Sequence, residues 1–325
     1  GLIKNGIKKK TAEAIWELFP PFARYGFNKS HAISYALISY QTAYLKAHYP
    51  VAFTTALFNA DRHNIERIAA LNHEVQQVGI DVLPPDINKS EVTFVPEENA
   101  VRFGLSAIKG VGEGVCEGIT SERKKNGDFT DISDLLTRVQ HKDLNKKSLE
   151  GLIKAGALDT LGVGRGTLLS HIEELVRIAG GYRKHQEQHS KSLFGNMASS
   201  TPKIELNLQE MPDIPQKERL MWEKELIGLY LSAHPLTDHQ DEIQRMGAIT
   251  ISEALTKPAE SSVRVVGMVS KINNIMTRSG QPMAFVMIED MSPEPVEIVV
   301  FTSTLNDTRN VWQENQAIAV AARVS

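Results

Sequence analysis

Cysteine is nearly absent: Cys116 is the one such residue in 325. A lone thiol excludes an internal disulfide and fits a reducing compartment. Long uncharged apolar runs are absent as well, and the opening GLIKNGIKKK lacks the apolar centre of a signal peptide. We therefore expect no membrane partner and a cytoplasmic location. The spacings of reaction centres are also missing. No Cys/His zinc pattern, GxSxG elbow, Walker loop or DxD-type carboxylate pair on an apolar strand occurs. Glu289-Asp290 ends a strand-like run and reads as closing a turn. Metal-assisted phosphoryl transfer needs two or three converging carboxylates. No residue is therefore assigned a catalytic role, and the chain alone is expected to be inactive.

What is present is the composition of a soluble globular protein, 42% apolar and 23% charged, long enough for two or three domains. The net charge of −3 hides an uneven distribution. Residues 1–50 carry seven Lys/Arg against two Asp/Glu, whereas residues 51–100 carry three against eight. Residues 201–325 carry eleven against seventeen. The N-terminal end is thus the electropositive one, suited to phosphates or simply solvated.

The most informative stretch is VRFGLSAIKGVGEGVCEGIT, residues 101–120. Leu105 and Ile108 close a short helix, Gly110-Val111-Gly112 turns, and Val115, Cys116 and Ile119 begin another helix. This is the spacing of a helix-hairpin-helix, with Cys116 at the small position where the helices approach. The glycines, Gly114 included, permit positive φ and bare the backbone N–H groups beside a helix N-terminus. Such a turn, with Lys109 next to it, suits DNA phosphate without reading sequence. Arg123, Lys124 and Lys125 are expected to add cations. An ordinary glycine-containing turn is the plainer alternative. LNKKSLEGLIKAGALDTLG repeats the theme weakly around Lys154-Ala155-Gly156-Ala157.

Elsewhere, helical spacing predicts helices over 8–19, from Ser30 to Pro50, 51–60, 62–78, 132–139, 167–178 and 220–231, and a last helical pair over 242–255. In the second of these, Ser30 is expected to cap and Ile33, Leu37, Tyr40 and Tyr44 to face inward. Lys29, Ser30 and His31 would then crowd a helix N-terminus, where a phosphate is favoured or where they merely start the helix. VLPPDINKS reads as an irregular connection, and EVTFVPEENAVRFGL as a small hairpin. Residues 181–219 are polar and aperiodic, and read as a loop carrying the apolar pair Leu193-Phe194. From Val263 the period becomes two. Four strands with a helical insert near 305–312 have the order of an oligonucleotide-binding (OB) barrel lacking its last strand. The chain has no start methionine and stops within an apolar strand, so it reads as a piece of a longer protein. The fold class expected is multidomain: mostly α, followed by a truncated OB-type β-barrel.

YGFNKSHAISYALISYQTAYLKAHYP, LPPDIN, GLSAIKGVGEG, LIKAGALD, EKELIGLYLSAHPL and MAFVMIED together resemble the bacterial replicative DNA polymerases of the C family. The resemblance implies that residues 1–95 are distal fingers, 96–255 a clamp-binding helix-hairpin-helix domain, and 261–325 the OB domain. It implies incoming-nucleotide contacts at Asn28, Lys29, Ser30 and His31, and duplex contacts at Lys109, Gly110, Val111, Gly112 and Gly114. It implies a sliding-clamp peptide at Ser190, Ser192, Leu193 and Phe194, with Ser190 where the family has Gln. Primer-template DNA, deoxynucleoside triphosphates, the clamp and other replicase subunits would be partners, and Mg²⁺ the cofactor of a palm outside this chain. The alternative is a non-catalytic DNA-binding scaffold joining a hairpin module to an OB barrel.

Overall fold

The computed structural model describes residues 1–20, 28–190, 206–278, 280–292 and 295–325. The chain divides into two compact units, 1–53 and 54–325. In the first, a 3₁₀ turn at Ile3–Asn5 precedes helices α1 (Lys9–Glu17) and α2 (Lys29–His48). Asn28, not Ser30, is the N-cap of α2, because its carboxamide accepts the His31 N–H at 3.1 Å while Ser30 already lies inside the helix. The expected inward face of α2 is not buried: Ile33, Leu37 and Tyr40 are 57%, 57% and 68% exposed. Apolar residues surround this helix on all sides, the pattern of a core helix, and no described residue covers it. Helix α3 (Pro50–Ala60) opens on Pro50, where the missing N–H would have been unpaired in any case.

The second unit continues through α3 into α4 (Ile65–Gln77), capped by Asn64. A small sheet follows, with β1 (Asp81–Leu83) parallel to β3 (Ala100–Arg102), and β2 (Val95–Glu97) antiparallel to it. The β2–β3 pair is the expected hairpin, turning at Glu98 with φ 51°. The supposed irregular connection is tightly pinned. The Asn88 amide bonds both the N–H and the C=O of Phe129 at 2.8 and 2.9 Å, and Asp86 takes the Asn88 N–H at 2.7 Å. Beneath the sheet Phe94 stacks on Phe58 (5.0 Å between centroids) and meets Phe103 edge-on (4.7 Å).

Helices α5 (Glu113–Asn126), α6 (Ile132–Arg138) and α7 (Lys146–Lys154) build the helical core. The helix expected at 167–178 is two, α8 (Arg165–Ser170) and α9 (Ile172–Ser190), broken at His171. Helix α9 runs into the stretch expected as loop, and α10 (Gln216–Leu226) begins before its expected start. Gly228, with φ 84°, stops the chain short of the predicted helix end and lays its turn against Ile65. Two short helices, α11 (Gln240–Arg245) and α12 (Ile251–Leu255), lead to the barrel strands.

Strands β4 (Ser262–Met276), β5 (Pro282–Glu289), β6 (Val296–Val300) and β7 (Ala317–Arg323) form one antiparallel sheet in the order β6-β5-β4-β7. A register shift between Val269 and Lys271 helps curl it. Period-two alternation puts Val265, Val269, Val286, Ile288 and Ile318 in one core with Ile251 and with Leu305 of helix α13 (Thr302–Asp307). This is a half-barrel consistent with a truncated OB fold, as expected.

Candidate nucleic-acid interface

The hairpin forms from the residues that predicted it. Leu105, Ile108, Val111, Val115, Cys116 and Ile119 are all at most 6% exposed, so the apolar frame fixes the turn from below. Its first helix is only a 3₁₀ turn, Leu105–Ala107. Gly110 has φ 91°, a conformation that disfavours any other residue. Gly112 does not share that need: its φ is −80° and nothing lies within 4 Å of where a Cβ would sit. As the N-cap of α5, position 112 favours glycine without requiring it.

Gly112 caps α5 without a side-chain hydrogen bond, so the N–H groups of the first turn have neither an intrahelical nor a capping partner among the described residues. The first backbone bond into the helix is from Cys116 to the Gly112 carbonyl. Gly114 is half-buried against the His141 ring. The Lys109 N–H is not available, because it donates to the Leu226 carbonyl at 3.0 Å and ties the turn to α10. The Lys109 side chain is exposed. Lys147 lies alongside Gly110.

A cavity of about 420 Å³ opens at this turn, and its far wall comes from the corner between α3 and α4. Arg62 and His63 supply that wall, and Ser106 and Glu113 complete it. Sequence spacing had no means to find Arg62 or His63, which lie some fifty residues away and carry no periodic signal. The expected cations on α5 are elsewhere. Arg123 is buried, donating from Nη1 to the Ile87 and Ser90 carbonyls and from Nη2 to Glu91, and Lys124 also pairs with Glu91. A 14-residue helix spans about 21 Å, so its last turn cannot serve its first.

The second hairpin exists but is displaced. Lys154-Ala155-Gly156-Ala157 is interior: Ala157 is 0% exposed and Gly156 abuts the Arg165 guanidinium. The exposed turn is Gly162-Val163-Gly164. It follows the 3₁₀ turn Asp159–Leu161 with Gly162 at φ 78°, and Gly164 caps α8 at φ −60° and ψ 143°. That matches the φ 91° of Gly110 and the φ −80°, ψ 152° of Gly112. The repeated Gly-Val-Gly at 110–112 and 162–164 is the sequence signal for this second turn.

Cys116 occupies the small position between the helices. Burial pushes its thiol up to about 12, and the Glu113 and Glu117 carboxylates act in the same direction. An unfolded thiol titrates near 8.5. We expect Cys116 to resist iodoacetamide at pH 8 in the native protein and to react in urea. Equal rates in both conditions would show that α5 does not pack as described.

Lys29, Ser30 and His31 all lie in the exposed first turn of α2, behind the Asn28 cap, and His31 stacks obliquely on Tyr35 at 4.5 Å. Of the residues expected to meet a clamp, Ser192, Leu193 and Phe194 fall outside the described residues, as does the side chain of Ser190, the last residue of α9. Among the described residues no group of three or more His, Cys, Asp or Glu side chains could hold a metal ion. No described helix is long and apolar enough to cross a membrane.

A family model described as a helix-hairpin-helix motif matches residues 79–168, which include both glycine turns. The whole chain is 35% identical to the DNA polymerase III subunit alpha of Vibrio cholerae over 326 aligned residues, 28% of that protein. It is 37% identical to the same subunit of Borreliella burgdorferi and 35% identical to that of Escherichia coli K12, again over 28% of each. The chain thus spans about 28% of the length of these relatives. With the match unbroken across both units and the hairpin geometry in place, the chain belongs to the DNA polymerase III subunit alpha family.

Proposed function

We propose that this chain supplies the DNA-holding part of a replicative DNA-directed DNA polymerase, gripping duplex primer-template through its hairpin turns. One observation carries the reading: Gly112 and Glu113, at the helix start where N–H groups have no intrahelical partner, line a cavity together with Arg62, His63 and Lys109. Backbone N–H groups and a helix N-terminus suit phosphate and ignore base identity. Affinity should therefore be equal for duplexes of unrelated sequence and fall steeply with salt. Gly112→Val is the sharper probe, because a side chain fits there without strain. We expect it to cost about 1 kcal/mol of stability or less, as a poorer N-cap, while weakening duplex binding about tenfold. Salt-independent binding, or full affinity in Gly112→Val, would falsify the reading.

The same reading gives roles to the remaining parts. Residues 1–95 would act as distal fingers, 96–255 as the clamp-binding hairpin domain, and 261–325 as an OB module facing single-stranded template. Ser190, Ser192, Leu193 and Phe194 would attach the chain to a sliding clamp. The metal-bound carboxylates of the transfer reaction would come from outside these residues. Asn28, Lys29, Ser30 and His31 would meet the incoming nucleotide, supported by their exposure at a capped helix start. In the polymerase carrying this sequence, Lys29→Ala should raise the KM for deoxynucleotides about tenfold and leave primer-template affinity unchanged. A loss confined to DNA affinity would reassign Lys29 to the DNA.

A further inference from the structure

Two residues lining the hairpin cavity carry polar atoms that find no hydrogen-bond partner among the described residues. Ser106 is 6% exposed, lines the cavity, and its Oγ has no hydrogen-bond partner. Arg62 also lines it, and its Nε is buried without an acceptor. The rest of the Arg62 guanidinium is held in place. Nη1 donates to the Asn59 carbonyl at 3.2 Å, and Nη2 to Glu113 Oε1 at 3.0 Å. Asn59 is itself fixed, since its amide bonds both the N–H and the C=O of Phe94 at 2.8 and 2.9 Å.

Each of the orphaned groups is able to donate, the serine hydroxyl being an acceptor as well. An arginine Nε–H and a serine hydroxyl both donate, and so do the free N–H groups of the α5 first turn. A buried donor without a partner is costly, so several converging on one cavity call for an acceptor-rich anion. Against this stands one carboxylate, Glu113, the first residue of α5, where an approaching anion would be repelled. Arg62 is what neutralises it.

Resting on the duplex-binding reading of the hairpin, we propose that Arg62 and Ser106 complete a single-phosphate pocket from outside the motif. Glu113 holds Arg62 in the free protein and yields it to a DNA phosphate. The arrangement is an exchange of ion pairs. The Arg62–Glu113 bond at 3.0 Å, with side chains 31% and 50% exposed, is open enough to break. The charge-assisted bond to a phosphate oxygen then replaces it. Loading Arg62 with Glu113 also keeps the pocket from being occupied by small anions before DNA arrives.

The test measures duplex affinity against salt for the 325-residue chain and five variants, Gly112→Val among them, with thermal melting of each. Arg62→Ala should weaken binding about tenfold and make the slope of log K against log salt shallower by about one, the mark of one lost phosphate contact. Ser106→Ala should weaken binding a few-fold with the slope unchanged, because a neutral donor releases no counterion. Glu113→Gln should strengthen binding by more than Glu117→Gln, an exposed carboxylate one turn further along the same helix. A merely structural Arg62 would lower the melting temperature and leave the slope as in the parent chain; that outcome overturns the proposal. So does a gain for Glu113→Gln no larger than for Glu117→Gln. If Gly112→Val weakens binding while Arg62→Ala does not, the hairpin reading stands and this pocket fails. If neither does, the hairpin reading itself has failed.

Discussion

Phe94→Ala should cost about 3–5 kcal/mol of unfolding free energy, the range for truncating a buried phenylalanine. Phe94 is 1% exposed, between Phe58 at 0% and Phe103 at 0%. Its ring stacks on the first and meets the second edge-on, so the truncation leaves a cavity lined by two aromatic faces that cannot close together. The backbone of Phe94 is also held, by the Asn59 amide at both its N–H and its C=O. The main chain is therefore prevented from collapsing inward to fill the void, which places the expectation at the upper end. Chemical denaturation monitored by circular dichroism gives the number. A loss below about 1 kcal/mol would mean that the trio is not packed as described. Phe94→Leu should recover much of the loss, because it restores most of the volume.

The second large effect is expected at Arg123. Its side chain is 8% exposed and donates to two backbone carbonyls, Ile87 and Ser90, as well as to Glu91. Arg123→Ala strands those carbonyls away from water and leaves Glu91 with Lys124 as its remaining cationic partner. Removing one partner of a buried charged network costs about 3–5 kcal/mol. The value of the experiment is its second readout. If Arg123 is the internal brace described above, the salt dependence of duplex binding stays that of the parent chain wherever the variant is folded. If Arg123 contacted DNA, the slope would become shallower by about one with little change in stability. Arg123→Lys should lose most of the brace as well, because one ammonium cannot reach both carbonyls and Glu91 in the fork geometry of a guanidinium.

These two residues also show where sequence reading stops. By charge alone, Arg123, Lys124 and Lys125 form a basic run next to a hairpin, and a DNA role for them is natural. Helix period shows that Arg123 shares a face with Cys116 and Ile119, which is a buried face, but not what lies across it. The groups across it are the Ile87 and Ser90 carbonyls, in the connection that proline and asparagine density marks as irregular, and Glu91 just after it. The same limit hid Arg62. Its corner between α3 and α4 is short and polar, and only the packing of that corner near the hairpin turn brings its guanidinium to Glu113.

What the sequence by itself determined is local. The Gly110-Val111-Gly112 turn follows from φ restrictions and from an apolar spacing that only one turn geometry can bury. The half-barrel strands follow from a period of two that buries one face of each. The β2–β3 hairpin follows from its turn and alternation. Either Asn28 or Ser30 can cap by residue type, and which one does depends on where the helix starts, a matter of one or two residues. Tertiary structure decided which elements meet. It buried Arg123 and opened Arg62 toward the hairpin. It placed the second glycine turn at Gly162 rather than Gly156, because Arg165 folds back over Gly156 to reach Asp159 and the Lys154 carbonyl. Periodicity and propensity report the faces of one element at a time. The partners of a guanidinium depend on contacts between segments tens of residues apart, and no local pattern encodes them.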